Sequence, residues 1–223
     1  MAWASRVLAV FEFKGDSRLF PGSNDPFSPE AEFNEHRGDP VKRMFDVIFS
    51  LFALIIFSPV FIVLALAVRV DSAGPVFYRQ IRVGRGGRLF QIYKFRSMVV
   101  NADKTGLYYT VPGDKRVTAV GRFLRKTSLD ELPQLINVLL GHMSVVGPRP
   151  DVPAQKSLYS DSDWLKRLSV RPGVTGLAQA TLRSSASDEQ RCSLDLEYVE
   201  NSNLWIDLKI IVMTARMVLK GSC

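Results

Sequence analysis

Cysteine and histidine are nearly missing from this chain of 223 residues, which carries only Cys192, Cys223, His36 and His142. Two cysteines cannot build a disulfide framework, and no zinc-ligand spacing is visible, which fits a reducing compartment. No secretory signal is expected either: the apolar patch Val7 to Phe13 is short, carries Glu12, and lacks a basic start and a small-residue cleavage site. A second carboxylate cluster of the two-metal kind is also lacking, which argues against a membrane-bound phosphatase or nuclease.

What the chain has in excess is positive charge, unevenly spread. The formal net charge is +7, with −3 on residues 1–40 and +10 on the remainder. The basic part favours anionic partners; nucleic acid, anionic lipid and phosphorylated substrates all qualify on charge alone. Residues 1–40, with Pro21-Gly22 and Gly38-Asp39-Pro40, read as a loosely structured N-terminal extension.

From Val47 to Val68 there are 22 residues without a charge. As a straight helix they would reach roughly 33 Å, enough for the roughly 30 Å hydrocarbon core of a bilayer. The flanks conflict with spanning, because Lys42 and Arg43 stand before the run and Arg69, Arg79 and Arg82 after it, and cations favour one side of a membrane. Ser58-Pro59 divides the run, and Ser58 is placed to bond a carbonyl that the proline frees. Two readings follow: a re-entrant membrane helix over residues 41–70, or a kinked spanning helix.

Two β-prone runs, Val76 to Val83 and Arg88 to Phe95, enclose Gly84-Arg85-Gly86-Gly87 and predict a β-hairpin, with the glycines as a turn in preference to a phosphate cradle. Its cations are expected to face anionic headgroups. Residues 99–120 read as a loop. Leu132, Leu135, Ile136, Leu139 and Leu140 then recur at helical spacing up to Gly141. Pro148-Arg149-Pro150 holds an arginine in extended backbone, suited either to gripping phosphate or to pairing a carboxylate. Leu204 to Lys220 predicts an amphipathic helix, with Trp205, Leu208, Ile211, Val212, Ala215, Val218 and Leu219 on one face, for the membrane interface or for the core.

The candidate reactive stretch is Thr127-Ser128-Leu129-Asp130-Glu131-Leu132-Pro133-Gln134, where two adjacent carboxylates follow three cations. Ser128-x-x-Glu131 also fits a helix capping box. Pro133 would fall inside the first turns of a helix begun at Ser128, which leaves the helix start ambiguous.

Together with Lys42-Arg43-x-x-Asp46, Tyr93-Lys94-Phe95-Arg96-Ser97-Met98, Val146-Gly147-Pro148-Arg149-Pro150, Arg171-Pro172-Gly173-Val174-Thr175-Gly176, and Tyr198-Val199-Glu200 to Asp207-Leu208-Lys209, this stretch resembles the bacterial sugar transferase family, the monotopic polyprenyl-phosphate phosphoglycosyl transferases, over about residues 41–220. The resemblance implies an α+β, mainly helical fold, with a re-entrant membrane hairpin and a cytoplasmic transferase domain over 71–223 that contains a β-hairpin and interfacial helices. It implies transfer of a sugar-1-phosphate from a UDP-sugar to undecaprenyl phosphate at the cytoplasmic face of the bacterial inner membrane, with membrane lipid but no nucleic acid as partner. It leaves a homodimer open. By the same resemblance Asp130 is the nucleophile, Glu131 the carboxylate beside Mg2+, and Lys94, Arg125 and Arg149 hold phosphates. Asp195 and Asp207 are further site carboxylates. A non-catalytic membrane adaptor with a basic face is the alternative from another class.

Overall fold

The computed structural model describes residues 39–102, 113–182 and 187–220, apart from the side chain of Leu219. The patch Val7 to Phe13 and the middle of the 99–120 loop therefore lie outside the described residues. All of the described residues belong to a single unit, Asn34–Cys223.

Helix α1 (Pro40–Ile56) opens with Asp39, whose carboxylate accepts from Val41 N at 2.9 Å, and with Pro40 in the first turn, where no amide is needed. Helix α2 (Ser58–Asp71) follows after the single residue Phe57, and the two axes bend by 64°. Ser58 Oγ donates to Ile55 O at 2.8 Å, as expected for a hydroxyl beside a helix-breaking proline. Among the described residues no single helix is long and apolar enough to cross a membrane. Ile48, Phe52, Ile55, Ile62, Val63 and Leu66 are each more than 60% exposed on this pair, far more contiguous apolar surface than a water-facing protein carries.

Both outer ends of the pair are tied to the rest of the fold. At the start of α1, Lys42 pairs with Asp207, Arg43 donates to Val138 O at 2.7 Å and Leu139 O at 3.1 Å, and buried Asp46 accepts from Ser144 Oγ and Val145 N, each at 3.0 Å. At the end of α2, buried Arg96 donates to Val68 O at 3.3 Å and Ser72 Oγ at 2.8 Å, while Asp71 accepts from Val120 N at 3.1 Å. Arg96, which closes the run of cations expected to face headgroups, instead sits at the C-terminus of α2, where unpaired carbonyls favour a cation.

Strands β1 (Phe77–Val83) and β2 (Leu89–Phe95) form the expected antiparallel hairpin, in register from Phe77 opposite Phe95 to Val83 opposite Leu89. The glycine stretch is a tight turn with Gly86 at φ 65°, and its amides are used internally, Gly86 N on Leu168 O at 2.9 Å and Gly84 N on Arg88 O at 2.8 Å. Helix α3 (Ala119–Lys126) begins inside the predicted loop because Thr118 caps it through Gly121 N at 3.0 Å. Helix α4 (Gln134–Leu139) is shorter than its apolar spacing predicts. Fully buried Asn137 fixes it to the outer edge of β2, accepting from Tyr93 N at 2.9 Å and donating to Gln91 O at 2.7 Å.

Strands β3 (Ser144–Val146) and β4 (Gly173–Thr175) pair in parallel, so two motifs far apart in sequence form one unit. A Cβ on Gly173 would lie 2.1 Å from Gly147 N, so the backbones approach to a distance only glycine permits. Helices α5 (Asp161–Arg167), α6 (Leu177–Thr181), α7 (Asp188–Asn201) and α8 (Leu204–Leu219) complete the described fold. Helix α8 has one face in the core and one outside it. Asp207 and Ile210 face the core, whereas Trp205, Leu208 and Val212 are exposed.

Two apolar clusters position the site. One joins Phe90 and Ile92 to Val138, Met143, Val145, Val146, Tyr198 and Ile210. The other joins Leu64 and Val68 of α2 to Phe95 and Leu124, with Leu129 and Leu132 packed against them. Leu124 has no exposed surface, and burying such a side chain contributes roughly 2 kcal/mol. The acidic turn is thereby seated on the second arm of the bent pair.

Candidate active site

The predicted capping box does not form. Ser128 adopts φ 55°, ψ 16°, the left-handed region that a non-glycine residue seldom visits, and its side chain caps nothing. An N-cap needs extended backbone to aim its oxygen at the next turn, and the left-handed conformation turns it away. Leu129–Glu131 instead make one 3-10 turn, closed by Glu131 N on Ser128 O at 3.2 Å, and Pro133 precedes α4. Backbone strain of this kind concentrates where a structure must aim side chains.

Free of a capping role, Glu131 reaches across to the hairpin and the proline-clamped loop. Its Oε1 accepts from Lys94 Nζ at 2.6 Å and Arg149 Nη2 at 3.1 Å. Burial alone would raise the Glu131 pKa, but the charges and hydrogen bonds of Arg149 and Lys94 outweigh it and hold it at about 2. Glu131 is therefore a carboxylate at any physiological pH. Asp130 is 8% exposed, and its pKa is raised, chiefly by burial and then by Glu131, against the opposing charges of Lys94, Arg125 and Arg149. The two neighbours are pushed apart, one locked as a carboxylate and the other kept more basic, which is how acidic pairs at reactive sites divide roles.

Of the residues expected from sequence, the structure brings Lys94, Glu131 and Arg149 into direct contact, with Asp130 inside their field. Arg125 extends from α3 and donates from Nε to Ser97 Oγ at 2.8 Å. Asp195 and Asp207 do not join this set. Asp207 has no exposed surface and pairs with Lys42 and Tyr198, so in this conformation it holds α1 to α8 rather than meeting a ligand. Asp195 accepts from Arg167 Nε at 2.9 Å. Arg167 also pairs with Asp151 and donates to the carbonyl of Arg149, while its guanidinium lies 5.2 Å from the Tyr159 ring centroid. Asp195 therefore reaches the site indirectly, through the arginine that fixes the Arg149 backbone.

A model of the bacterial sugar transferase family matches residues 37–221. The chain belongs to that family. Among its relatives, the undecaprenyl-phosphate galactose phosphotransferase of Salmonella typhimurium is 45% identical over 195 residues, 81% of this chain and 40% of its own length. The UDP-glucose:undecaprenyl-phosphate glucose-1-phosphate transferase of Klebsiella pneumoniae is 44% identical over 187 residues, again 81% of this chain and 40% of the relative. The Caulobacter vibrioides protein of the same name is 43% identical over 185 residues, 80% of this chain and 69% of its length. The chain thus spans about two fifths of the first two relatives. Their near-equal identities accompany different sugars, so overall likeness within the sugar transferases does not track the sugar.

Arg82, Asn137, Asp151, Arg167 and Gln179 were not picked out as site residues from sequence. Arg82 stood among the headgroup-facing cations, yet it lines the recess beside Arg149 and donates to Pro150 O at 2.9 Å. Its one visible sign was a place on a β-strand, where neighbouring positions face opposite ways.

Proposed function

We propose that the chain transfers a sugar-1-phosphate from a UDP-sugar to undecaprenyl phosphate, releasing UMP, through a phosphosugar held on Asp130. The observation that carries this reading is Glu131 gripped by Lys94 and Arg149 beside buried Asp130. The names of relatives that match four fifths of the chain support the same donor and acceptor. In the first step a carboxylate oxygen of Asp130 attacks the sugar-bearing phosphorus, the bond to the bridging oxygen breaks, and that electron pair leaves with UMP. In the second, an oxygen of the lipid phosphate attacks the same phosphorus and the Asp130–phosphorus bond breaks, restoring the carboxylate. Neither step needs a general base once Asp130 is ionised, because a carboxylate and a lipid phosphate both attack as anions. Lys94, Arg125 and Arg149 offset the repulsion between a carboxylate and a diphosphate.

The residues also fit a magnesium ion. Among the described residues no cluster of three metal-ligating side chains occurs, but magnesium is commonly held by one or two carboxylates, with phosphate oxygens and water completing its shell. Glu131, fixed as a carboxylate next to Asp130, is the residue that would hold it. Bound there, the ion would neutralise charge building on the phosphate oxygens.

The bent helix pair is read as re-entrant, entering and leaving one face of the membrane. Both of its outer ends bond to the same folded unit, which supports this over a spanning path. Cysteines introduced before Asp46 and after Arg69 are expected to react with an impermeant thiol reagent from the same side of sealed vesicles; reaction from opposite sides would make the pair a kinked span. For the chemistry, magnesium-dependent UMP release is expected from at least one member of a UDP-sugar panel in the presence of undecaprenyl phosphate. Absence of release with every nucleotide sugar would favour a non-catalytic adaptor.

A further inference from the structure

The recess beside Arg149 is lined by Arg82, Lys94, Gln134, Arg149, Gly173 and Gln179, among others. Two of these side chains carry a buried polar atom with no hydrogen-bond partner among the described residues, Nε of Arg82 and Oε1 of Gln179. Each such atom is destabilising, and folded proteins contain few of them, so two in one lining require a reason. Neither side chain is loosely placed. Arg82 is fixed by Nη1 on Pro150 O at 2.9 Å and Nη2 on Gln80 Oε1 at 2.6 Å, which leaves Nε to give. Gln179 lies so close to Gly176 that a Cβ there would come within 2.6 Å of its Oε1.

The charge of the recess points to the ligand. Arg82, Lys94 and Arg149 all line it, while Glu131 binds only the latter two directly. Burial first, and then the neighbouring Arg149, bring the Arg82 pKa to about 10, so its guanidinium stays charged at neutral pH. Glu131 is the carboxylate hydrogen-bonded to these cations, Asp130 and Asp151 act on them by charge at longer range, and the donors left over suit an anionic ligand. The lining takes no residue from the bent apolar pair or from the exposed stripe of α8, where a lipid would approach, which favours the water-soluble donor.

We propose that this recess is a second phosphate subsite, in which Arg82 binds the phosphate of the departing nucleotide through its unpaired Nε and Gln179 accepts a hydrogen bond from a hydroxyl of the same ligand. The assignment rests on the sugar-phosphate transfer proposed above. Its test is UDP affinity, which requires no turnover, measured by titration calorimetry on the full chain in detergent. Arg82→Gln is expected to weaken UDP binding at least about tenfold, and Gln179→Glu, equal in size but repelling phosphate, by as much. Gln179→Met should weaken binding about threefold or more while the melting temperature of the unliganded chain holds or rises, because an unpaired buried oxygen is gone. The Michaelis constant for the UDP-sugar should rise in step, with that for undecaprenyl phosphate unchanged.

UDP affinity within twofold of the wild type in both Arg82→Gln and Gln179→Glu would overturn the proposal. So would a rise confined to the lipid acceptor's Michaelis constant, which would give the recess to the lipid phosphate. If Arg82→Gln does not fold, Gln179→Glu decides alone. Failure of the wild type to release UMP from any nucleotide sugar would count against the transfer reaction itself, and so is distinguishable from failure of the subsite.

Discussion

Asp130→Asn is expected to abolish sugar-phosphate transfer and UMP release alike, by at least roughly 10³-fold, while the protein stays folded. The substitution keeps the shape of a side chain that is 8% exposed and removes its negative charge, and burial already disfavours that charge enough to raise the Asp130 pKa. Folding therefore loses little. The chemistry loses its attacking oxygen, since a neutral amide is a poor nucleophile toward phosphorus. Loss of UMP release is the informative half, because a lipid phosphate attacking the donor directly would still expel UMP. Continued release near the wild-type rate would remove Asp130 as the nucleophile.

Donor radiolabelled in its sugar should leave label on the wild-type chain without acceptor and none on the variant. The acid limb of kcat/KM should also lie above the ordinary aspartate value of 3.8, because the reactive form is the carboxylate and the folded pKa is raised. Arg149→Gln should move that limb higher still, since the Arg149 charge is one of those that lower the Asp130 pKa.

Arg167→Met should produce the largest loss of stability, about 3–5 kcal/mol, read as a fall in melting temperature of about 10 °C or more. Arg167 is buried and answers two buried carboxylates, Asp151 and Asp195, together with the carbonyl of Arg149. Removing only the cation leaves both acids in low dielectric with only the Tyr159 hydroxyl at Asp151 and the more distant charges of Arg82 and Arg149 to oppose them, and one oxygen of Asp195 has no partner even now. Combining Arg167→Met with Asp151→Asn and Asp195→Asn should recover much of the stability, because a neutral buried set avoids the uncompensated charge. Activity should not recover with it, because the Arg149 backbone would still lack its donor. Recovery of both together would mean that the cluster serves stability alone.

Much of this organisation was legible in sequence for physical reasons. The bend at Ser58-Pro59 follows from proline chemistry, the β1–β2 hairpin from β-prone runs around glycine, and the gathering of Lys94, Glu131 and Arg149 from motifs that the resemblance had already grouped. Local pattern failed where distant contacts decided. Ser128 looked like a cap because capping rules use spacing, but Glu131 gains more from Lys94 and Arg149 than from a backbone amide at its own helix start. The parallel pairing of β3 with β4 left no periodic trace, since each strand is only 3 residues long. Asn137 and Arg167 act through partners 44 and 28 residues away, distances at which a single sequence carries no signal. Asp195 and Asp207 were expected among the site carboxylates from the resemblance alone; their depth, and hence their service to Arg167 and Lys42, became visible only in the fold.

The cations inside the fold also change what the composition says about adhesion to a bilayer. Lys42, Arg43, Arg96 and Arg167 are occupied by carbonyls and carboxylates of the chain itself, so these four cations are not presented to a lipid headgroup. What remains on the outside of the bent pair is hydrocarbon. Ionic strength screens charges across water and has little purchase on buried alkyl surface, so the hold on the membrane should be oily rather than ionic and should outlast a high-salt wash.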